Sequence, residues 1–144
     1  MAGSITSSNA VLMLSIQGLY DSPQQIQGFS ADDVFDIENV KPAEAVMGVD
    51  GNLSAGRINV PIVQAIVLQA DSPSNQIFED WYASQIAEGD IMFSDATVQL
   101  SSVGAAYTLR NGVLTDYSPI PTAKKILQPR KYTITWESVE GAPI

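Results

Sequence analysis

The sequence predicts a mainly β domain (α+β), a β-sandwich or small barrel of about seven strands with one flanking α-helix at about residues 72–88. Three observations predict it. Several short stretches alternate apolar and polar residues, as strands do. Glycine, proline and asparagine punctuate these stretches with turn signals. Only residues 70–90 repeat apolar residues at the helical period, so we expect one helix packed on a β-structure.

The helix has predicted boundaries at both ends. Ser72 is the expected N-cap, with Pro73 at the first helical position and Gly89 as a left-handed C-terminal cap. One sector of the helix carries the predicted packing residues: Ile77, Phe78, Trp81, Tyr82, Gln85 and, at its edge, Ile86.

The N-terminal part predicts two strands. Residues 10–18 place Leu12, Leu14 and Ile16 on one face. Residues 20–30 contain proline, glycine and glutamines and predict a loop. Residues 33–40 alternate apolar and acidic side chains, which predicts a half-buried strand paired antiparallel with the first.

Residues 44–60 predict a protruding loop or hairpin. Residues 44–49 suit a short strand, and Asp50-Gly51 is a tight-turn signal. Residues 52–59 are polar and have no apolar period. They are either a plain surface loop or an arm that becomes ordered only against a neighbouring molecule.

Residues 60–70 form the most apolar run and predict a strand covered on both faces, by the β-core on one side and the helix on the other. Residues 91–100 predict a strand with a bulge near Ser94-Asp95. Asn111-Gly112, between two apolar runs, predicts a hairpin turn. Residues 131–139 predict a strand with Tyr132, Ile134 and Trp136 facing inward, followed by a loose tail at residues 140–144.

Composition limits the possible functions. The 144 residues suit one domain, and the absence of histidine and cysteine excludes His/Cys metal sites and a histidine-dependent serine triad. The net charge of −9 is uneven, since residues 1–100 sum to −11 and residues 101–144 to +2. An acidic chain is a poor binder of nucleic acid phosphates. Residues 1–9 lack the features of a signal peptide, and no apolar run reaches the ~18 residues of a membrane span.

Acidic neighbours do not predict catalysis. Asp32-Asp33 and Glu79-Asp80 are adjacent pairs whose side chains diverge on a strand or a helix, so neither pair forms a carboxylate dyad. We therefore expect a protein that is not an enzyme and needs no cofactor, metal or small-molecule substrate. A hydrolase that gathers distant carboxylates stays open as a third class.

Three segments resemble the tail tube protein of contractile-tailed bacteriophages: residues 67–85, 48–61 and 130–138. They follow one another along the chain in the same order as in that family. The fold of that family is related to the tube proteins of type VI secretion and contractile bacteriocins. The resemblance implies a single tail-tube-like domain over residues 1–144, assembly into stacked hexameric rings, and location in the virion after assembly in the host cytoplasm. It also implies a tape-measure protein, a sheath, a baseplate and a tail terminator as partners, with DNA passing through the lumen without sequence-specific binding.

Two surfaces are the candidate sites. The resemblance implies ring-to-ring contacts by the polar arm, for which the candidate residues are Asp50, Gly51, Asn52, Leu53 and Arg57. A basic surface is the hypothesis for subunit docking: Lys124, Lys125, Arg130 and Lys131. Head-to-tail contacts need two different complementary surfaces. The uneven charge along the chain is one way to provide them.

Two alternatives stay open. One is a monomeric ligand- or carbohydrate-binding β-sandwich of a phage particle, with tyrosines and tryptophans lining a groove. The other is the tube protein of a different contractile injection system.

Overall fold

A computed structural model describes residues 10–29 and 35–143, which form ten strands and one helix. The elements in chain order are β1 Ala10–Ile16, β2 Tyr20–Gln25, β3 Phe35–Ile37, β4 Ala43–Met47, β5 Leu53–Arg57, β6 Ile62–Leu68, α1 Asn75–Glu88, β7 Ser94–Leu100, β8 Ala105–Asp116, β9 Arg130–Trp136 and β10 Ser138–Pro143. The predicted fold class, mainly β with one flanking helix, is confirmed, although there are more strands than the seven expected. The predictions for residues 1–9, for Asp32-Asp33 and for residue 144 lie outside the described residues.

Eight strands form one antiparallel system in the order β2-β1-β7-β8-β9-β6-β3, with β10 also paired to β8. Strand β8 joins its two halves, because residues 105–112 pair with β7 while Val113 and Leu114 pair with β9. The apolar side chains of both halves meet in one buried cluster, so the halves pack as a sandwich. Its largest members include Leu14, Ile66, Trp81, Tyr132 and Trp136.

Strands β8, β9 and β10 form a long bent hairpin. Ser138 pairs with Arg110 and Thr135 pairs with Val113, so β9 and β10 continue the same register along β8. The predicted tail beyond residue 139 is therefore wrong up to Pro143, because those residues find the open side of β8 and extend the sheet.

Asn111-Gly112 is not a hairpin turn. Asn111 has φ 53°, and the register of β8 on β7 shifts there, so one extra residue bulges and bends the strand. Gly112 is buried against Trp136, where a β-carbon would lie 2.5 Å from the indole ring. The bulge predicted at Ser94-Asp95 lies in this same ladder, but the additional residue belongs to β8.

Helix α1 begins two residues later than the predicted first helical residue, Pro73. Its N-cap is Ser74, while Ser72 accepts a hydrogen bond from the Ser74 amide and donates one to the Gln27 carbonyl. The predicted Gly89 cap is confirmed by its φ of 70° and its bond to the Gln85 carbonyl. Ile77, Phe78 and Trp81 are buried as expected, whereas Tyr82 and Ile86 are exposed, because the helix rests its first turns on the sandwich.

Two predictions about the first strands are wrong. Residues 20–25, expected to be a loop, form β2 at the sheet edge, where Pro23 is tolerated because one side of the strand needs no partner. β3 pairs with β6 and not with β1. Within the predicted strand 33–40, Asp33 and Val34 lie outside the described residues.

The helix and the β-core cover the same face of β6. Phe78 stacks on Tyr132 at 4.2 Å between ring centroids, and Tyr132 pairs with Ile66 inside the core. The opposite face of β6 carries Val63, Ala65 and Val67, which are only half-buried. The prediction that the helix covers this second face is therefore wrong.

Residues 43–57 form a two-stranded hairpin, β4–β5, that is separate from the main sheet. The polar stretch, expected to have no order of its own, contains strand β5. Residues 53–57 pair with residues 43–47 through backbone hydrogen bonds, and such bonds do not depend on an apolar pattern in the sequence. Every residue from 36 to 57 is exposed.

Candidate assembly surfaces

The β4–β5 hairpin presents two different faces to solvent. In antiparallel pairs, directly opposed side chains lie on the same face. Ala45 opposes Ala55 and Met47 opposes Leu53, so these four side chains share an apolar face. Met47 and Leu53 are each 63% exposed. A lone hairpin is marginally stable in water, so this face gains stability when another surface covers it.

The hairpin tip is preorganised. Gly51 has φ 85° and donates to the Gly48 carbonyl at 3.0 Å. The Asp50 carboxylate accepts from the Asn52 backbone amide and from its side-chain amide at 3.0 and 2.9 Å. These bonds lower the pKa of Asp50, so the tip carries a fixed negative charge at neutral pH. Arg57 ends β5 at the base of the hairpin, opposite Ala43.

A second exposed surface lies on the connection between β8 and β9, residues 117–129, which we name the strap. The Gln128 backbone amide donates a hydrogen bond to the Thr122 carbonyl at 2.9 Å and closes the strap into a loop. Ile126 and Leu127 are 75% and 55% exposed, and they follow the exposed Lys124 and Lys125 in the chain. The strap therefore exposes an apolar pair and two lysines.

A cleft of about 480 Å³ separates the strap from the connection between β6 and α1. Ile126, Leu127 and Pro129 form one wall, and Gln69, Ala70 and Asp71 form the other. The lining therefore combines apolar side chains with the Asp71 carboxylate, and the exposed Lys124 and Lys125 directly precede Ile126 in the chain.

Arg130 does not belong to the basic docking surface, which corrects that part of the hypothesis. Its side chain is 4% exposed and donates to Glu79 of α1 at 2.8 Å. It also donates to the Ser118 and Pro119 carbonyls at 2.6 and 3.3 Å. Burial alone would lower the pKa of Arg130, but the hydrogen bond to Glu79 and the charge interactions with Tyr132, Glu79 and Tyr117 together outweigh it, so the pKa is raised. Arg130 therefore fixes both ends of the strap to the helix.

The other three basic candidates are exposed. Lys124 and Lys125 lie on the strap, and Lys131 lies on the outer face of β9. The sequence grouped all four because they are close along the chain. Strand alternation separates Arg130 from Lys131, since neighbours on a strand point to opposite faces.

Within the main sheet of the described residues, three strands leave one side unpaired: β2, β3 and β10. β2 carries Pro23 and β3 has only three residues, so both are poor templates for long pairing. These edges are further positions where a neighbouring copy can add to the sheet.

The adjacent carboxylates of Glu79 and Asp80 bind different partners. Glu79 pairs with Arg130, while Asp80 accepts hydrogen bonds from Tyr20 and Gln76, so the two carboxylates diverge as predicted. Within residues 10–29 and 35–143, no group of three or more histidine, cysteine, aspartate or glutamate side chains could hold a metal ion. Nor does this part of the chain contain a helix that is long and apolar enough to cross a membrane.

One structural residue was missed by the sequence analysis. Asn75 is buried at the start of α1 and accepts a hydrogen bond from the Tyr132 hydroxyl at 2.8 Å. Its amide donates to the Gln69 and Ser72 carbonyls at 2.9 and 3.0 Å, which fixes the wall of the cleft. An asparagine next to a helix start was the available signal, but capping rules favoured the serines.

Comparison with solved structures identifies the fold. A chain of the cryo-EM structure of the anti-feeding prophage cap, described as a tube-terminating cap, matches with a TM-score of 0.61 and 10% identity over 98% of this chain and 92% of that chain. A chain of the PVC extracellular contractile injection system, in its sheath/tube terminator, matches with a TM-score of 0.59 and 14% identity over 91% and 92%. A chain of the PVC sheath–tube complex gives 0.56 and 15% over 92% and 88%. The predicted relationship to contractile-tail tube proteins is therefore confirmed at the level of the fold.

Sequence comparison gives a family. No curated protein matches the chain. The family described as "Tail fiber protein gp32" matches residues 3–140, which is nearly the whole sequence. The chain therefore belongs to the tail fiber protein gp32 family.

Proposed function

We propose that this protein is a non-enzymatic structural subunit of a phage tail that assembles head-to-tail into hexameric rings, which stack into the inner tube. The observation that carries the proposal is the exposed β4–β5 hairpin on a fold shared with tube and cap proteins. Its apolar face is left exposed by residues 10–29 and 35–143, and a stacked copy would supply a cover. Asp50, Gly51, Asn52, Leu53 and Arg57 are the proposed ring-to-ring contacts.

The family description and the fold suggest different parts of a tail. The description names a tail fiber, whereas the structural matches come from cap and tube assemblies. We base the proposal on the fold, because a fold fixes which surfaces are available for assembly and a family description does not. Both findings are compatible with a phage tail as the location.

The proposed tube is a conduit for DNA during ejection. A tape-measure protein inside it, a sheath around it, and a baseplate and a terminator at its ends are the proposed partners, with assembly in the host cytoplasm. DNA has to slide through without being held, and a net charge of −9 disfavours strong phosphate binding. Lys124, Lys125 and Lys131 stay in the proposal as the basic docking surface.

The similarity to a tube-terminating cap favours a second candidate, a single ring at the end of a tube. The same domain would then form one ring and recruit a different neighbour on one side. Electron microscopy of the purified protein distinguishes the candidates, since a tube subunit gives stacked rings of variable length and a terminal ring does not stack.

Excision of the hairpin tests the proposed function. Ile58 donates to the Pro42 carbonyl at 3.2 Å, so a short glycine linker can replace residues 43–57 without moving the flanking chain. We expect a folded domain that no longer stacks, because the main sheet does not include β4 or β5. Negative-stain microscopy and sedimentation measure assembly, and the fluorescence of the buried Trp81 and Trp136 reports folding.

Removal of residues 53–57 alone is a less clean test, because it leaves β4 without its partner strand. Tubes of normal length from the excised variant would refute the role of the hairpin. A wild-type protein that stays monomeric at high concentration would refute the proposed function and favour the monomeric binding module.

A further inference from the structure

We infer that the cleft beside the strap is the receptor for the β4–β5 hairpin of a second copy of this chain. This inference rests on the proposed function, since it names the partner surface for the ring-to-ring contact. The occupant is the apolar face of the hairpin, with its acidic tip directed at the strap lysines and its basic end directed at Asp71.

The hairpin carries three chemical groups in a fixed order. Asp50 is at the tip, Met47 and Leu53 follow on the apolar face, and Arg57 is at the base. Because opposed pairs share a face, Arg57 points to the same side as Met47 and Leu53. The four residue steps from Leu53 to Arg57 span about 13 Å at ~3.3 Å per residue. The apolar patch therefore has an acid at one end and a base at the other.

The cleft and the strap beside it carry complementary chemical groups. Lys124 and Lys125 lie on the strap just before the apolar wall of Ile126 and Leu127, and Asp71 lies on the opposite wall. A hairpin laid across this cleft covers exposed apolar side chains on both copies. It also sets Asp50 near the lysines and Arg57 near Asp71, so the charges at both ends attract.

Both surfaces are held in place before they meet. Arg130 fixes the two ends of the strap, and Asn75 fixes the wall that contains Asp71. Hydrogen bonds from Asn52 fix the hairpin tip. Preorganised surfaces lose little conformational entropy on binding, which favours association between copies. The hairpin and the cleft are different surfaces, so the contact is heterologous and propagates from copy to copy.

Charge reversal tests the pairing. The variant K124D/K125D should raise the protein concentration needed for assembly about tenfold, because the acidic tip then faces two acids. D50K alone should weaken assembly in the same direction, and D50K combined with K124D/K125D should return it to within about threefold of the wild type. The matched control is R110D, which reverses an exposed basic residue of β8 outside both the cleft and the basic docking surface and should assemble like the wild type.

Disulfide trapping tests proximity. The chain has no cysteine, so introduced thiols report only the designed positions. A protein with L53C is mixed with a protein with L127C under mild oxidation, and a mixed dimer on a non-reducing gel shows contact between copies. The control pairs L53C with V103C, an exposed apolar position in the turn between β7 and β8.

The outcomes separate the inference from the proposed function. Rings or tubes that give the L53C–L127C product and the charge rescue support both. Rings or tubes that give the V103C product instead, or no mixed disulfide and no rescue, overturn the cleft as the receptor while the tube proposal stands. Wild-type protein that never assembles overturns both.

Discussion

At the residue scale, Asn111 and Gly112 bend strand β8 and leave space for a core side chain. Asn-Gly suits positive φ at a turn, and Asn111 does adopt φ 53°. The chain continues as a strand because Asn111 finds partners across the sheet, where its backbone amide donates to Asp95 and its side chain donates to Glu137. Gly112 then provides the space in which Trp136 packs.

The substitution G112A should destabilise the protein by about 3 kcal/mol, because the new β-carbon overlaps the Trp136 ring and the Ser94 hydroxyl. Urea unfolding followed by tryptophan fluorescence measures the change. The control G56A adds a methyl group where no atom lies within 4 Å, and it should change the free energy of unfolding by about 0.5 kcal/mol or less. Equal stability of the two variants would contradict the packing role of Gly112.

A second prediction at the residue scale concerns Tyr20. Its hydroxyl donates to Asp80, and this bond, with burial and the nearby charge, raises the pKa of Tyr20 from 10.0 to about 12. A phenol whose pKa is higher in the folded state stabilises the fold fully below pH 10 and loses that contribution as the pH rises towards 12. The wild-type free energy of unfolding should therefore fall above pH 10.

The variant Y20F should have a smaller decrease, measured by urea unfolding at several values from about pH 8 to about pH 11. A residual decrease is expected, because burial also raises the pKa of Tyr132. The control Y82F removes the hydroxyl of an exposed tyrosine on α1, the helix that carries Asp80. It should keep the wild-type dependence of the free energy of unfolding on pH. Identical slopes for Y20F and the wild type would contradict the link between Tyr20 and Asp80.

At the element scale, α1 is attached to the sandwich by polar and aromatic contacts as well as by apolar ones. Phe78 stacks on Tyr132, Tyr82 stacks on Tyr117, and the Trp81 indole donates to the Met92 carbonyl at 2.9 Å. Glu79 holds Arg130, which in turn holds the strap. The helix therefore connects the core to the surface that we assign to partner binding.

Neighbouring basic residues on β9 should respond very differently to substitution. R130A should destabilise the fold by about 3 kcal/mol, because it leaves Glu79 and the Ser118 carbonyl without their buried partner. K131A should change the free energy of unfolding by about 0.5 kcal/mol or less, because Lys131 is exposed. Thermal and urea unfolding of both variants measure this difference, and a K131A effect as large as that of R130A would contradict the assigned positions.

At the scale of the whole molecule, uneven charge and an uncovered hairpin both favour association between copies. Residues 1–100 carry −11 and residues 101–144 carry +2, although part of this asymmetry is neutralised inside the chain by Glu79 and Arg130. The remaining charge difference between the two parts of the chain favours head-to-tail contacts between copies. The symmetry of a closed ring requires such contacts.

The inner wall of the proposed tube should carry more carboxylates than basic groups, since the chain has 16 acidic and 7 basic residues and the proposed passage of DNA disfavours phosphate binding. A cryo-EM map of the tube, with side chains assigned on the inner surface, measures this balance. A predominantly basic wall would contradict the conduit proposal in its present form.

The sequence by itself determined the strands whose apolar face is continuous and the presence of the one helix. β1 and β9 agree with their patterns because side-chain alternation alone decides which face of such a strand is buried. The exclusion of histidine- and cysteine-dependent chemistry also follows directly from composition.

Tertiary structure decided what local pattern leaves undetermined, namely which strand edges meet and which cations are buried. β2 and β10 lack an apolar period. They form because β1 and β8 each offer an open edge with backbone groups to pair with. Arg130 is buried and Lys131 exposed because Glu79 and the strap carbonyls converge on only one of the two faces of β9. Backbone pairing and buried ion pairs depend on residues far apart in sequence, so no window along the chain contains that information.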